Sequence, residues 1–313
     1  MSLPSPGSGT MCLMGSALTT IGLPVALGII MFGLGLSLTL RDFARVAKQP
    51  KAVIVALLCQ LVLLPAICFG LVLLFQLPPV LAVGMMMLAA SPGGTTANLY
   101  SHLFRGDIAL NISLTAINSV IAVITLPIIT NLAIAYFDPF DGELGMQWAK
   151  AAEVFAIVLL PVALGMVVRR VWPAFADRMD KPVRIVSVIV LIVVIAGSVA
   201  SNWELLIENV ASLALITVLF CLVSLAIGYV VPLLLKVGKR QAIASSFEIG
   251  IHNATLAIVI AQTVLGSVEL SLPAAVYGVL MFFIAFGFGF LIRDRSTAAS
   301  DARREDAATP APS

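Results

Sequence analysis

One acidic residue, Glu248, lies in an apolar stretch from Gln241 to Leu265 that holds no other Asp, Glu, Lys or Arg. Burying an unpaired carboxylate in a bilayer costs at least ~2.5–3.5 kcal/mol, so it needs a proton, a basic partner or a cation. No Lys or Arg lies at that depth in any other apolar stretch. A proton or Na⁺ remains, and a hard cation prefers oxygen ligands. The sequence therefore indicates a small-cation site at Glu248.

Amide and hydroxyl side chains in other apolar stretches could complete such a site. The candidates are Gln60, Asn98, Asn111 and Thr115. His252 follows Glu248 by one helical turn, where it could titrate during coupling or stay a neutral, hydrogen-bonded core residue. Two competing interpretations stay open. Glu248 could cap a helix in cytoplasmic water, and Gln60 could simply hold helices together.

The run of residues 91–98, SPGGTTAN, would interrupt a helix within the membrane. Pro92 removes a backbone donor, and Gly93 and Gly94 make the helix easy to unwind. At about 1.5 Å per residue from Pro79, the break lies ~20 Å along the axis, past the middle of a ~30 Å hydrocarbon layer. Such a break is tolerated only where it is buried in protein or lines a wet cavity.

The half-helix after each break would point the positive end of its dipole at that cavity. One would begin after Gly94 and a second after Gly250, where polar residues interrupt the stretch around Glu248. Two convergent positive ends favour an anion, commonly a carboxylate. The expected side-chain donors to this anion are Thr95, Thr96 and Asn253.

The composition indicates a membrane protein. Of the 313 residues, 60% are hydrophobic and 11% are charged, whereas a soluble domain carries about 25% charge. The net charge of +2 argues against a nucleic-acid partner, and no obligate protein partner is evident. The apolar stretches predict an all-α membrane protein with nine transmembrane helices. Each is near or above the ~20 residues needed to cross a bilayer. Their expected limits are 17–40, 51–76, 79–104, 107–136, 147–171, 182–202, 209–235, 241–265 and 271–292.

The basic residues predict the orientation of these spans. Of the 18 Lys and Arg residues, all except Lys150 fall on one side, which the positive-inside rule makes cytoplasmic. We therefore expect a multi-pass protein of the cell (inner) membrane, with its N-terminus outside and its C-terminus in the cytoplasm. Residues 1–16 lack a basic n-region and are expected to be an extracellular or periplasmic segment. Residues 294–313 are expected to be a disordered cytoplasmic tail.

The order of the spans has a weak inverted symmetry. Spans one to four correspond to spans six to nine, the third and eighth are the interrupted ones, and the halves begin on opposite sides of the membrane. The fifth span has no counterpart, as if a first helix were missing. Inverted repeats with a discontinuous helix in each half are typical of secondary transporters. We therefore expect one transporter domain over residues 17–293.

Three motifs resemble the bile acid:sodium symporter family. They are GIIMFGLGL at 28–36 followed by Asp42 and Phe43, SPGGTTAN at 91–98 followed by Arg105, Gly106 and Asp107, and FEIGIHN at 247–253. The resemblance implies a ten-helix inverted-repeat fold that here lacks its first helix, with two broken helices that cross. It also implies core helices at 51–136 and 209–292 and panel helices at 17–40 and 147–202.

The same resemblance implies two Na⁺ sites behind the crossing. The residues implied for the first are Asn98, Asn111, Thr115 and Glu248, and those for the second are Gln60, Glu248, His252 and the carbonyls of Ile249 and Ile251. Three positions depart from the family pattern, because Ala97 and Asn111 stand where Ser is expected and His252 where Gln is expected. An imidazole nitrogen is a poor Na⁺ ligand, so the second site could be weakened or proton-sensitive.

These observations predict a symporter that carries an organic anion inward with Na⁺ by alternating access. The family's substrates range from bile acids to small carboxylates such as pantoate and keto acids, and the sequence leaves this choice open. A second hypothesis couples the same scaffold to protons through Glu248 and His252. An enzyme is not expected, because the sequence has no HExxH, GxSxG or paired catalytic acids.

Overall fold

The computed structural model describes residues 23–39, 41, 42, 44, 47–94, 96–138, 148–201 and 203–293. Within these ranges all repeating structure is helical, and the one strand-like pairing is an isolated bridge between Gly93 and His252. The all-α prediction is confirmed for this part of the chain. The expected N-terminal segment 1–16, the start of the first span at 17–22 and the expected tail 294–313 lie outside the described residues.

The helices are numbered here in chain order. They are α1 (Leu23–Ser37), α2 (Pro50–Leu74), α3 (Pro79–Ala90), α4 (Thr96–Leu103), α5 (Ile108–Phe137), α6 (Trp148–Val171), α7 (Pro173–Ser201), α8 (Trp203–Leu234), α9 (Lys239–Gly250), α10 (Ala254–Val259) and α11 (Leu272–Ile292). A π-helical turn, Cys59–Leu63, lies within α2, and a second, Ile260–Val264, continues α10.

Four helical segments of the described chain are long and apolar enough to cross a membrane. These segments are Pro50–Leu74, Ile108–Phe137, Trp203–Leu234 and Glu269–Ile292. Shorter apolar helices accompany them at Leu27–Ser37, Pro79–Ala90 and Ala254–Val264. The protein is therefore a multi-pass membrane protein, and the count of nine spans stays a prediction.

Two helices begin earlier than the sequence predicted. The span expected at 182–202 begins at Pro173, and the one expected at 209–235 begins at Trp203. Proline is tolerated in the first turn of a helix, where its missing amide would have no intrahelical partner. The charged start of α7 is therefore helical although it is not apolar, and there Asp177 forms an ion pair with Arg169 of α6.

Three sets of helices make the most extensive contacts. α1 packs along α6 and α7, whereas α8 packs against α9 and α11, and α3 packs against α5 and α2. Many apolar side chains point outward, among them Leu291 at 82% and Phe283 at 74% exposure. In a membrane-spanning chain such side chains face lipid rather than water.

Candidate functional site

The first helix break separates α3 from α4. Ser91 is extended, with φ −70° and ψ 144°, and both its amide (3.0 Å) and its hydroxyl (2.7 Å) donate to the carbonyl of Leu88. Pro92 follows and has no amide to donate to the preceding turn. The chain becomes helical again at Thr96, so the break falls at the SPGG sequence.

The second break separates α9 from α10. α9 ends at Gly250, and Ile251 departs from helical geometry with φ −112° and ψ 86°. The Asn253 side chain then caps α10, its Oδ1 accepting from the Leu256 amide at 3.0 Å. The half-helix expected directly after Gly250 therefore begins at Ala254. The reason is that an Asn side chain at the N-cap supplies the acceptor that the first free amides require.

The two breaks meet and satisfy each other's backbone. The Gly94 amide donates to Ile251 O, and the Asn253 amide donates to Pro92 O, both at 2.8 Å. These bonds form an antiparallel bridge about Gly93 and His252. Non-helical backbone inside a membrane needs such internal partners, because lipid offers none.

Glu248 lies in the last turn of α9 with no exposed surface. Thr115 Oγ1 donates to its Oε2 at 2.6 Å, Asn118 Nδ2 donates to its Oε1 at 3.1 Å, and the Gly93 amide also donates to the carboxylate. No salt bridge to Glu248 occurs in the described part of the chain. The interpretation of Glu248 as a water-exposed helix cap is therefore wrong, and its charge faces only neutral donors.

Asn111, Thr115 and Asn118 lie on one face of α5, at the spacing i, i+4, i+7. Asn111 Nδ2 donates to Ser101 Oγ at 2.9 Å and to Ala244 O at 2.7 Å, which joins α5 to α4 and α9. The sequence prediction named Asn111 and Thr115 but missed Asn118. The helical spacing of the three residues was the signal that could have found it.

Gln60 and His252 converge on the carbonyl of Ser91. Gln60 Nε2 donates to this oxygen at 3.0 Å, and His252 Nδ1 lies 3.2 Å from it. Because a carbonyl only accepts, this contact assigns the proton to Nδ1 and leaves Nε2 of a neutral ring with a lone pair. The imidazole also stacks on Phe220, with ring centroids 5.6 Å apart.

Several polar atoms around this crossing are buried without a hydrogen-bond partner. They are Gln60 Oε1, Asn98 Oδ1, Asn111 Oδ1, Asn118 Oδ1 and His252 Nε2. Four of them are amide oxygens, which are ligands for hard cations. No group of three His, Cys, Asp or Glu side chains that could hold a metal occurs among the described residues. The donor set therefore fits Na⁺ better than a transition metal.

The second break also frees backbone carbonyls of α9. In a continuous helix Ile249 O would accept from the Asn253 amide, but that amide donates to Pro92 O. Tyr277 Oη donates to Gly250 O at 2.8 Å. Ile251 O already accepts from Gly94, which leaves it one lone pair for a further partner.

The predicted anion donors are only partly described. Thr95 lies outside the described residues, while Thr96 is the first residue of α4 and Asn253 precedes α10, both half-buried. The Asn253 oxygen is used as a cap, so its amide nitrogen is the group that could donate to an anion. The antiparallel bridge places the positive end of α10 beside the negative end of α3, and the positive end of α4 beside the negative end of α9.

Comparison with known proteins gives a consistent result. Residues 24–209 match the Sodium Bile acid symporter family. The chain is 26% identical over 277 residues to "Probable sodium/metabolite cotransporter BASS2, chloroplastic" of Oryza sativa subsp. japonica. It is 27% identical over 261 residues to "Uncharacterized sodium-dependent transporter YocS" of Bacillus subtilis (strain 168) and 27% identical over 246 residues to the human "Sodium-dependent organic anion transporter".

The matched regions cover most of this chain but less of the relatives. They include 88%, 82% and 78% of this chain for the rice, Bacillus and human proteins, respectively. They include 65%, 78% and 64% of those three proteins. The chain thus spans about two thirds of the length of the rice and human relatives.

Proposed function

The chain belongs to the Sodium Bile acid symporter family, and from this premise we propose that it is a secondary transporter that carries an organic anion inward together with Na⁺. Its relatives bear the names of sodium cotransporters and of a sodium-dependent organic anion transporter. The family and these relatives are transporters rather than enzymes, so an intramembrane enzyme is set aside.

The observation that carries the proposal is the environment of Glu248. Its carboxylate is fully buried, accepts three bonds from neutral donors and has no salt bridge among the described residues. An ionised carboxylate in that environment requires a cation. The unpaired amide oxygens nearby are the ligands that a hard cation would take.

We assign two Na⁺ sites that share Glu248. The first uses Asn98, Asn111 and Thr115 with Glu248, and the unpaired oxygens of both Asn residues support it. The second uses Gln60, His252 and the carbonyls of Ile249 and Ile251 with Glu248. Two observations on side chains support it, because Gln60 Oε1 is unpaired and His252 Nε2 has a free lone pair. In addition, Ile249 O does not receive the Asn253 amide, which donates to Pro92 O instead.

The substrate anion would bind on the opposite face of the crossing. The amides at the N-terminal ends of α4 and α10 would face it, because amides at helix N-termini attract negative charge. Thr95, Thr96 and the amide nitrogen of Asn253 are its proposed donors. The substrate is a bile acid or a small carboxylate such as pantoate or a keto acid.

Transport would proceed by alternating access about this crossing. We assign α1, α6 and α7 to the panel and the remaining helices to the core, in an inverted-repeat fold. The extensive packing of α1 against α6 and α7 supports this division. The protein would lie in the inner membrane, with its N-terminus outside and its C-terminus in the cytoplasm.

A second candidate function, proton-coupled transport, has one observation in its favour. The contact with Ser91 O assigns the His252 proton to Nδ1, so the buried Nε2 could receive another proton. Glu248 and His252 would then form the relay. The discriminating measurement is whether a pH gradient alone, without Na⁺, drives uptake.

The proposed function is tested by uptake of ²²Na⁺ into proteoliposomes, with and without each candidate anion. We expect the wild type to show anion-dependent ²²Na⁺ uptake and Glu248→Gln to lose it, because the amide removes the negative charge that attracts the ion. Glu204→Gln is the matched control, since it makes the same chemical change at an exposed residue. It should retain wild-type uptake.

Two outcomes of this uptake experiment would contradict the proposed function. Anion uptake by the wild type that is independent of Na⁺ would refute sodium coupling. Uptake by Glu248→Gln equal to that of Glu204→Gln would remove Glu248 from the coupling mechanism.

A further inference from the structure

Asn118 is a buried polar residue that contacts Glu248 directly. Its side chain is 1% exposed, its Nδ2 donates to Glu248 Oε1 at 3.1 Å, and its Oδ1 is buried without a hydrogen-bond partner. Leaving a buried polar atom unpaired costs about 1–3 kcal/mol. A partner that arrives with a ligand would remove that cost.

The contact with Glu248 fixes which end of the amide is unpaired. An ionised carboxylate only accepts hydrogen bonds, so the Asn118 amide must present its nitrogen to Oε1. The other end of the amide, Asn118 Oδ1, therefore does not contact Oε1. Only a donor or a cation can satisfy that oxygen, and no donor among the described residues does so.

The neighbouring residues on α5 repeat this arrangement. Thr115, one turn earlier, donates to Oε2 of Glu248, so two residues of α5 hold the two carboxylate oxygens. Asn111, a further turn earlier, has its Nδ2 engaged by Ser101 and Ala244 while its Oδ1 is unpaired. α5 therefore presents two oriented amides, each with an unpaired oxygen, on either side of Thr115.

We propose that Asn118 Oδ1 is an additional Na⁺ ligand at the first site, where Asn118 also orients Glu248. This inference rests on the proposed sodium coupling. Ala97 precedes the ligand Asn98 in the chain, and its buried methyl group offers no oxygen to the ion. Asn118 would supply a further oxygen to the first site. The first site then combines one charged residue, Glu248, with the side-chain oxygens of Asn98, Asn111, Thr115 and Asn118.

The test measures Na⁺ binding rather than transport. The purified full chain is heated in detergent with increasing NaCl, with KCl keeping the ionic strength constant, and the rise in Tm gives the half-saturating Na⁺ concentration. We expect Asn118→Ala to raise that concentration about tenfold or more, as changes next to a metal typically do. Thr130→Val is the matched control, because Thr130 is another buried residue of α5 with an unpaired oxygen, and it should match the wild type.

A further variant separates a ligand from a residue that only positions Glu248. Asn118→Asp keeps an oxygen for Na⁺ but loses the donor to Oε1 and adds a like charge beside Glu248. If Oδ1 binds the ion, Asn118→Asp should saturate at a lower Na⁺ concentration than Asn118→Ala. If Asn118 only donates to Glu248, Asn118→Asp should saturate at the same or a higher concentration, which would overturn the proposal.

The other outcomes are equally decisive. An Asn118→Ala half-saturation within twofold of Thr130→Val would overturn the proposal and leave sodium coupling intact. A wild type without any Na⁺-specific rise in Tm would instead overturn the sodium coupling on which it rests. Should Asn118→Ala not fold, Asn118→Leu takes its place, because it has a similar shape and no side-chain oxygen, and an unchanged half-saturation in that variant would again exclude Asn118 as a ligand.

Discussion

Gly93 lies directly against the carboxylate of Glu248. A Cβ atom added at Gly93 would lie 2.4 Å from both Cδ and Oε1 of Glu248, and 2.6 Å from its backbone oxygen. Rotation of the Glu248 side chain would not relieve the contact with the backbone oxygen. The missing side chain therefore lets the first break approach α9 closely enough for the Gly93 amide to donate to the carboxylate.

We expect Gly93→Ala to lower stability by about 1–3 kcal/mol, the usual range for forcing an extra group into a packed core. It should also abolish the Na⁺-specific rise in Tm, because the Glu248 carboxylate must move. Gly70→Ala is the control, since an added Cβ there meets nothing within 4 Å in a helix, where Ala is favoured over Gly. Thermal unfolding in NaCl and in KCl measures both effects, and a wild-type Na⁺ response in Gly93→Ala would contradict this account.

The sequence identified some residues of the site more readily than others. Glu248 was evident because a lone acid in an apolar stretch is costly wherever it is buried. Asn118 was not evident, because one Asn in a membrane helix is as consistent with helix packing as with binding. The spacing places Asn118 on the same face of α5 as Asn111 and Thr115, but it does not specify that α9 packs against that face.

At the scale of elements, α1 and α6 come into close contact at two glycines, Gly35 of α1 and Gly165 of α6. A Cβ on Gly35 would lie 2.2 Å from Val162 O, and a Cβ on Gly165 would lie 2.4 Å from Phe32 O. Small residues let membrane helices approach closely and gain van der Waals contact. The glycines of the 28–36 motif thus include one, Gly35, whose structural role is this crossing.

We expect Gly35→Ala to separate α1 from α6 and to lower the Tm, since its Cβ would clash with backbone that cannot rotate away. Gly28→Ala is the matched control on the same helix, because its Cβ would meet only Pro161 Cγ at 3.9 Å. Neither variant touches Glu248, so the half-saturating Na⁺ concentration should stay unchanged in both. Equal Tm values for the two variants would show that the close crossing does not stabilise the fold.

Helix breaks could be predicted from sequence better than helix starts. Pro92 and the adjacent glycines cannot continue a helix, so the first break was fixed by local chemistry. The start of α7 at Pro173 was missed, because hydropathy marks the apolar layer and says nothing of helical turns beyond it. The start of α10 was missed by a few residues, because the bridge to Pro92 and the Asn253 cap delay it.

At the scale of the whole molecule, the crossing of the two breaks gathers helix ends of both polarities at one place. The C-terminal ends of α3 and α9 present carbonyl oxygens near Glu248, while the N-terminal ends of α4 and α10 present amides. In the proposed mechanism the carbonyl oxygens take part in cation binding and the amides in anion binding. If both ions bind as proposed, each reduces the cost of bringing the other into the same low-dielectric region, which would be a physical basis for coupling.

Two Na⁺ with one monovalent anion would carry one net positive charge across the membrane per cycle. A potential of 100 mV, negative inside, then adds ~2.3 kcal/mol to the driving force, which corresponds to a roughly fiftyfold change in anion accumulation. The measurement is steady-state anion accumulation in proteoliposomes at fixed Na⁺ and equal pH, with the potential set by a K⁺ gradient and valinomycin. The control omits valinomycin at the same ion concentrations. Accumulation that does not respond to the potential would indicate one Na⁺ per anion, and only one of the two proposed sites would then take part in coupling.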